Sequence, residues 1–228
     1  MSKASFSPAL FAFLRQLKAN NDRDWFKANQ AKFEDSVRTP ALEFVRDMAP
    51  RLEAISPHFL ASDKKVGGSL FRIHRDTRFS KDKTPYKTHT GIQFRHAEGK
   101  SAHAPCFYLH LEPGEVFVGA GIWHPDTATA KLIREAIVED PKAWKRATQG
   151  KAFSKRFALQ GDSLKRPPRG FDPEHPLLED LKRKDFIAVA KLTQKDVTSG
   201  DVPKTFSALC ETSTPLVEFL CRALELPF

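Results

Sequence analysis

With 228 residues, 40% of them hydrophobic and 29% charged, the chain carries enough apolar material for one large folded unit, and disorder is not expected beyond its first few residues. No apolar run approaches bilayer-spanning length, and the short patch Ala9 to Leu14, cut by Arg15 with no small-residue cleavage site behind it, does not read as a signal peptide. The net charge of +9 suits an anionic partner such as nucleic acid, a nucleotide or another phosphorylated compound, without requiring one.

The first sixty residues predict helices. Ser7-Pro8 places a cap before a first-turn proline, and Leu10, Phe13, Leu14 and Leu17 follow on one face. Asn20-Asn21 ends that helix and starts the next, with Asp24 as capping partner of Asn21. Trp25, Phe26, Asn29, Phe33 and Val37 then keep helical spacing. Thr39-Pro40 repeats the cap signal ahead of Leu42, Val45, Met48, Ala49 and Leu52, and Pro50 predicts a kink or restart.

From residue 66 to 124 the period changes from 3.6 to 2. Leu70 to Arg75, Gly91 to His96, Pro105 to Glu112 and Glu115 to Trp123 alternate, and the turn Glu112-Pro113-Gly114-Glu115 joins the last two in an antiparallel hairpin. Its predicted register sets Leu109 opposite Val118, Tyr108 opposite Gly119 and Cys106 opposite Gly121. Phe71, Ile73, Ile92, Phe94, Phe107, Leu109, Leu111, Val116, Val118 and Ile122 then share the face that packs on helices. The opposite face gathers Arg72, His74, Gln93, Arg95, Tyr108 and His110 above two glycines. A solvated sheet face and a concave binding surface both fit that grouping.

Residues 126–228 read as mostly helical with one late strand. Asp126 caps a helix carrying Leu132, Ile133, Ala136 and Ile137, and Asp140-Pro141 starts another containing Trp144. A basic proline-rich loop, Lys165 to Gly170, precedes an alternating strand from Asp185 to Thr193. Two helices close the chain, the last expected to begin at Thr214-Pro215. The order of helices, sheet, helices predicts a single α+β domain with a largely antiparallel sheet.

Eighteen residues, Arg72 to His89, hold six Lys or Arg and two Asp, a net +4 of the chain's +9. On the pattern Arg72-x-x-Arg75-Asp76-x-Arg78-Phe79-x-x-Asp82-Lys83-x-Pro85-Tyr86-Lys87 the chain resembles a widespread uncharacterised bacterial family of similar length, also found as a region of longer fungal proteins. The resemblance extends from Asn21-Asp22-Arg23-Asp24-Trp25-Phe26 through Gly119-Ala120-Gly121-Ile122-Trp123-His124-Pro125 to Pro167-Pro168-Arg169-Gly170-Phe171-Asp172-Pro173. It implies no reaction, cofactor or catalytic residue.

Two physical readings of the segment compete. In one, Asp76 accepts from two flanking arginines and Asp82 pairs with a lysine, pinning the loop to the sheet edge. In the other, Asp76 orients the arginines while Arg72, Arg75 and Arg78 present their forks to a phosphate or carboxylate, with Lys83, Tyr86 and Lys87 closing the rim and Arg95 beside them. Two carboxylates cannot neutralise six cations, which favours a small anionic ligand between the segment and the polar sheet face.

Further chemistry is sparse. His74, Tyr108 and His110 are the nearest acid–base candidates. His74, His89, His96, His103 and His110 show no metal-ligand spacing, so no metal is expected, although distant strands could still assemble a zinc site. Glu112 and Glu115 flank a turn and read as solvated. No cofactor motif appears. Cys106, Cys210 and Cys221 lack paired spacing, which predicts a reducing cytoplasm. The runner-up reading is a non-catalytic adaptor for nucleic acid or an acidic protein surface, using Lys81, Lys83, Lys87, Lys165, Arg166 and Arg169. Nineteen phenylalanines, most of them on predicted core faces, against two tyrosines argue against an open base-stacking platform.

Overall fold

Apolar side chains at helical spacing build α1 (Pro8–Ala19), which buries Leu10, Phe11, Phe13, Leu14 and Leu17. The computed structural model describes residues 6–98 and 104–228; His103 lies outside them. Helix α2 (Arg23–Ala28) is capped by Asp22, whose side chain accepts from the Trp25 N–H at 2.8 Å, one residue later than the Asn21 cap expected. Asn21 is unavailable as a cap because its amide is engaged elsewhere: it donates to the Tyr86 carbonyl at 2.9 Å and accepts from the Tyr86 N–H at 3.0 Å.

Helix α3 (Gln30–Phe33), a π-helical turn (Glu34–Arg38) and α4 (Thr39–Ile55) follow one another without a break. The wide turn sits just ahead of Pro40, which has no N–H to continue the ladder, and the Thr39 N–H reaches back five residues to the Glu34 carbonyl. The expected restart at Pro50 does not occur. Ala41, Phe44, Val45, Met48 and Leu52 bury one face on both sides of it, and that packing overrides the proline.

Five strands follow among the described residues: β1 (Thr90–Arg95), β2 (Cys106–Glu112), β3 (Glu115–Ile122), β4 (Ala158–Gln160) and β5 (Phe186–Leu192). Every pairing is antiparallel and the order is β1-β2-β3-β5-β4. The hairpin register matches the expectation: Leu109 with Val118, Tyr108 with Gly119, Cys106 with Gly121. Gly121 is required at its position, because its φ of +119° is left-handed and a Cβ there would lie 2.1 Å from the Phe186 carbonyl oxygen of β5.

Between and after the strands stand α5 (Thr127–Glu139), α6 (Pro141–Gln149), α7 (Lys151–Arg156), α8 (Leu178–Leu181), α9 (Gln194–Thr198) and α10 (Val202–Ala223). Asp126 and Asp140 cap α5 and α6 as expected. The last helix does not begin at Thr214-Pro215; α10 runs through Pro215. Its buried face, including Phe206, Leu209, Leu216, Val217 and Leu220, continues across the proline, and the carbonyl that Pro215 cannot bond belongs to the exposed Glu211. Helices α4 and α10 cover the apolar sheet face, where Phe44, Phe94 and Phe206 meet with centroids 5.5–6.1 Å apart. The protein is thus α+β with an open antiparallel sheet, and no helix among the described residues is long and apolar enough to cross a membrane.

One expected strand is absent. Leu70 to Arg75 makes only isolated bridges, Leu70 with Ile92 and His74 with Tyr86. Its alternation therefore breaks: Ile73 is buried as expected, but Phe71 is 39% exposed and lies 5.9 Å from the Tyr108 ring on the polar face.

Candidate functional site

The cationic segment forms an irregular hairpin. The Arg75 N–H donates to the Pro85 carbonyl at 2.9 Å and the Lys87 N–H to the Ile73 carbonyl at 2.8 Å. Its base is fixed to α2 by the Asn21–Tyr86 pair and by Phe26, which stacks on Tyr86 at 4.2 Å. At the tip, each carboxylate takes one arginine. Asp76 accepts from Arg78 Nε at 3.0 Å and Nη2 at 2.7 Å, and Asp82 accepts from Arg75 Nη1. Asp82 also accepts from the Thr84 N–H at 2.9 Å, and Lys83 donates to the Thr77 carbonyl at 2.9 Å. The expectation that Asp76 would hold two arginines and Asp82 a lysine is corrected: Asp82, folded back by Thr84, reaches Arg75 instead.

These bonds hold both acids ionised. The Arg78 guanidinium and backbone N–H keep Asp76 well below the usual carboxylate range. The Thr84 N–H, then Arg75, bring Asp82 down to about 2. Arg72 and Lys81 have no hydrogen bond or ion pair among the described residues. Lys87 sits 5.1 Å over the Phe71 ring, and burial, then the charge of Arg72, lowers its pKa.

Between this hairpin and the N-terminal helices lies a cleft of about 520 Å³. Arg23, Lys27 and Gln30 line it from α2 and α3; His74, Arg75 and Thr77 line it from the hairpin; Phe26, Pro85 and Tyr86 complete it. None of its nine lining residues is acidic. Of the Arg75 fork only Nη1 is engaged, leaving Nε and Nη2 without a partner among the described residues. The cleft is on the helix side of the hairpin, where the sequence expectation placed a site on its sheet side. Arg72, Arg78, Lys83, Lys87 and Arg95 do not line it, and Tyr86 is a buried floor rather than a rim. Arg23, Lys27 and Gln30 escaped the sequence reading. Their signal was present in Arg23 and Lys27, one helical turn apart and flanking Phe26.

A larger cleft of about 650 Å³ lies at the opposite sheet edge, between α7, β5 and α9. Its cations Lys155, Arg156 and Lys191 are exposed, as are Arg23 and Lys27 of the first cleft, but it contains an acid, Asp196, which closes a capping box with Thr193. It lacks the immobilised arginine of the first.

The polar sheet face carries a separate constellation. Tyr108 Oη stands 3.1 Å from His110 Nδ1, and His110 Nε2 stands 3.5 Å from Glu112 Oε2. Thr88 Oγ1 donates to Glu112 Oε1 at 3.0 Å, and the His89 ring lies 4.7 Å from that of His110. Gly91 makes room for this arrangement, since a Cβ on it would sit 2.5 Å from Tyr108 Oη. Burial, then the neighbouring His110, brings His89 down to about 4. Burial likewise lowers His110, with Glu112 opposing, and raises the Tyr108 phenol. The three acid–base candidates therefore do not converge: His74 lines the cleft, while Tyr108 and His110 sit together on the sheet. The sequence named no metal ligands, yet the fold brings ligand atoms of His89, His110 and Glu112 within 4.8 Å of one another.

Asp185, 1% exposed, forms a third centre. It accepts the N–H groups of His124 at 2.8 Å and Asp162 at 2.9 Å, and pairs with His124 Nδ1 at 3.0 Å. These contacts hold the β3–α5 turn, where His124 adopts a left-handed φ of +51°.

A comparison with curated proteins finds no match for this chain. The model of a conserved hypothetical protein family, DUF2461, matches residues 9–219, a span that includes both walls of the cleft and all of the sheet, and the chain belongs to that family.

Proposed function

We propose that the protein binds a small anion, a phosphorylated compound, in the cleft between α2–α3 and the cationic hairpin. The observation that carries this reading is the lining itself: Arg23, Lys27 and Arg75 face one cavity of about 520 Å³ with no carboxylate among them. Asp82 offsets one of these three cations, and the remaining positive charge is self-repelling until an anion relieves it. Asp82 holds one nitrogen of Arg75 and leaves the rest of its planar fork for bidentate contact with a phosphate. The volume falls in the range of small-molecule sites. His74, in the same lining, is the acid–base candidate on this reading.

The test is thermal unfolding of the wild-type chain with inorganic phosphate, sugar phosphates and nucleotides. A ligand at about a hundredfold excess over its Kd stabilises by ~2.7 kcal/mol, read as a melting shift of roughly 5 °C or more. The shift is expected to vanish in the Arg23→Ala, Lys27→Ala double variant. Absence of any shift with all three ligand classes overturns the reading.

A second reading, nucleic-acid binding, draws on the hairpin tip. Phe79 is 94% exposed there, with the Arg78 guanidinium 5.7 Å from its ring centroid. It predicts affinity that falls steeply with salt and is lost in Phe79→Ala, with Arg23→Ala and Lys27→Ala unaffected.

A further inference from the structure

We propose that His89, His110 and Glu112 bind a divalent transition-metal ion, zinc by preference, at the β1–β2 edge of the polar sheet face. Three observations support it independently of the anion cleft. The first is an unmet bonding need. His110 is only 8% exposed, and its Nε2 makes no well-formed hydrogen bond among the described residues, having only a long contact with Glu112. That atom points toward Glu112 Oε2, 3.5 Å away. Where Nδ1 donates its hydrogen to Tyr108, Nε2 turns a lone pair toward a carboxylate oxygen. In that tautomer two lone-pair atoms face each other, and a cation between them takes the place of the proton that the other tautomer would put on Nε2.

The second observation is spacing. Ligands about 2.0–2.1 Å from a tetrahedral zinc stand roughly 3.3–3.4 Å apart, close to the His110–Glu112 separation. His89 brings a ring nitrogen within 4.8 Å of both, so closing the set takes a side-chain shift on the order of 1 Å. Two imidazoles and one carboxylate are a known zinc donor set that leaves a fourth position open to water or to an anion.

The third observation is support around the ligands. Tyr108 holds the other ring nitrogen of His110, and Thr88 holds the other oxygen of Glu112. Phe117 lies flat on the His110 ring, 4.6 Å away and 8° from parallel. Each contact fixes an orientation and leaves the facing atom bare, as outer partners of metal ligands do. Lys87, whose charge reaches His89, sits over the Phe71 ring.

The experiment uses the full chain freed of metal with a chelator. Zn²⁺ is titrated by calorimetry, and Co²⁺ is followed by its visible absorption, which reports coordination geometry. A single saturable ion per chain is expected, with intensified cobalt bands of four-coordinate type. His110→Ala should abolish binding. His89→Ala, a half-buried residue just outside β1, should lower affinity at least a hundredfold while leaving metal-free unfolding near wild type. Tyr108→Phe should lower affinity about tenfold, as loss of an outer partner does. Failure of the wild type to bind either ion overturns the proposal, and so does binding that survives unchanged in His89→Ala.

Discussion

Asp185 and the pair Asp76–Asp82 are carboxylates among positive or donor groups, yet they serve opposite ends. Asp185 is 1% exposed and its oxygens take two backbone N–H groups and an imidazole. Asp76 and Asp82 stand in solvent and take arginine side chains. A buried carboxylate that fails to find partners is costly, so its bonds decide whether the surrounding chain can fold as it does. An exposed one exchanges its partners for water at little cost, so its bonds decide where cations point. The same residue type is therefore structural behind the β3–α5 turn and orienting at the hairpin tip.

The comparison breaks first at Asp185. Asp185→Ala strands two backbone donors and should cost about 3 kcal/mol in urea unfolding; a loss under ~1 kcal/mol would show that water replaces the carboxylate. Gly161→Ala should follow with roughly 1–3 kcal/mol, because the residue sits at φ +100° and a Cβ would lie 2.3 Å from Asp185 Cβ. At the tip, Asp82→Asn should lower the unfolding midpoint only slightly, because the carboxylate is exposed, but weaken phosphate binding about tenfold by calorimetry, since Arg75 loses its anchor.

The pH dependence sharpens the contrast. A carboxylate held below its ordinary 3.8 lends stability that is complete above that value and is lost as the pH falls through the folded value. Asp82 titrates near 2 and Asp76 lower still, so the tip should stay tied at pH 4 and release only at and below about 2. Side-chain carboxyl chemical shifts followed across that range check it. The smallest effect is expected from Asp76→Asn, which should free Arg78 in solution, lower stability only slightly for so exposed a pair and leave phosphate affinity in the cleft unmoved.

What could be read from the residues alone follows from the range of the interactions involved. The β2–β3 pairing was legible to the residue, because a short Glu-Pro-Gly-Glu turn fixes register locally. The caps of α5 and α6 were legible for the same reason. Leu70 to Arg75 alternates like a strand but is held at only two points, and alternation does not report how many partners a segment finds. The cleft was not legible, since it joins Arg23 and Lys27 to a hairpin some fifty residues on through the Asn21–Tyr86 bond. His110 and Glu112, two apart on one strand, were predictable neighbours. His89 was not, because its place depends on the β1–β2 register, which no tight turn sets.

Asn21 offers the Tyr86 backbone one donor and one acceptor, the same pair that a facing peptide unit would present. The root of the hairpin is thereby zipped to the N-terminal helices as though by an additional rung of sheet. That rung opposes rigid swinging of one cleft wall against the other. On the proposed anion reading, adjustment around the ligand is left to residues 77–84, so the ordering entropy of binding would fall on a handful of residues rather than on two packed layers.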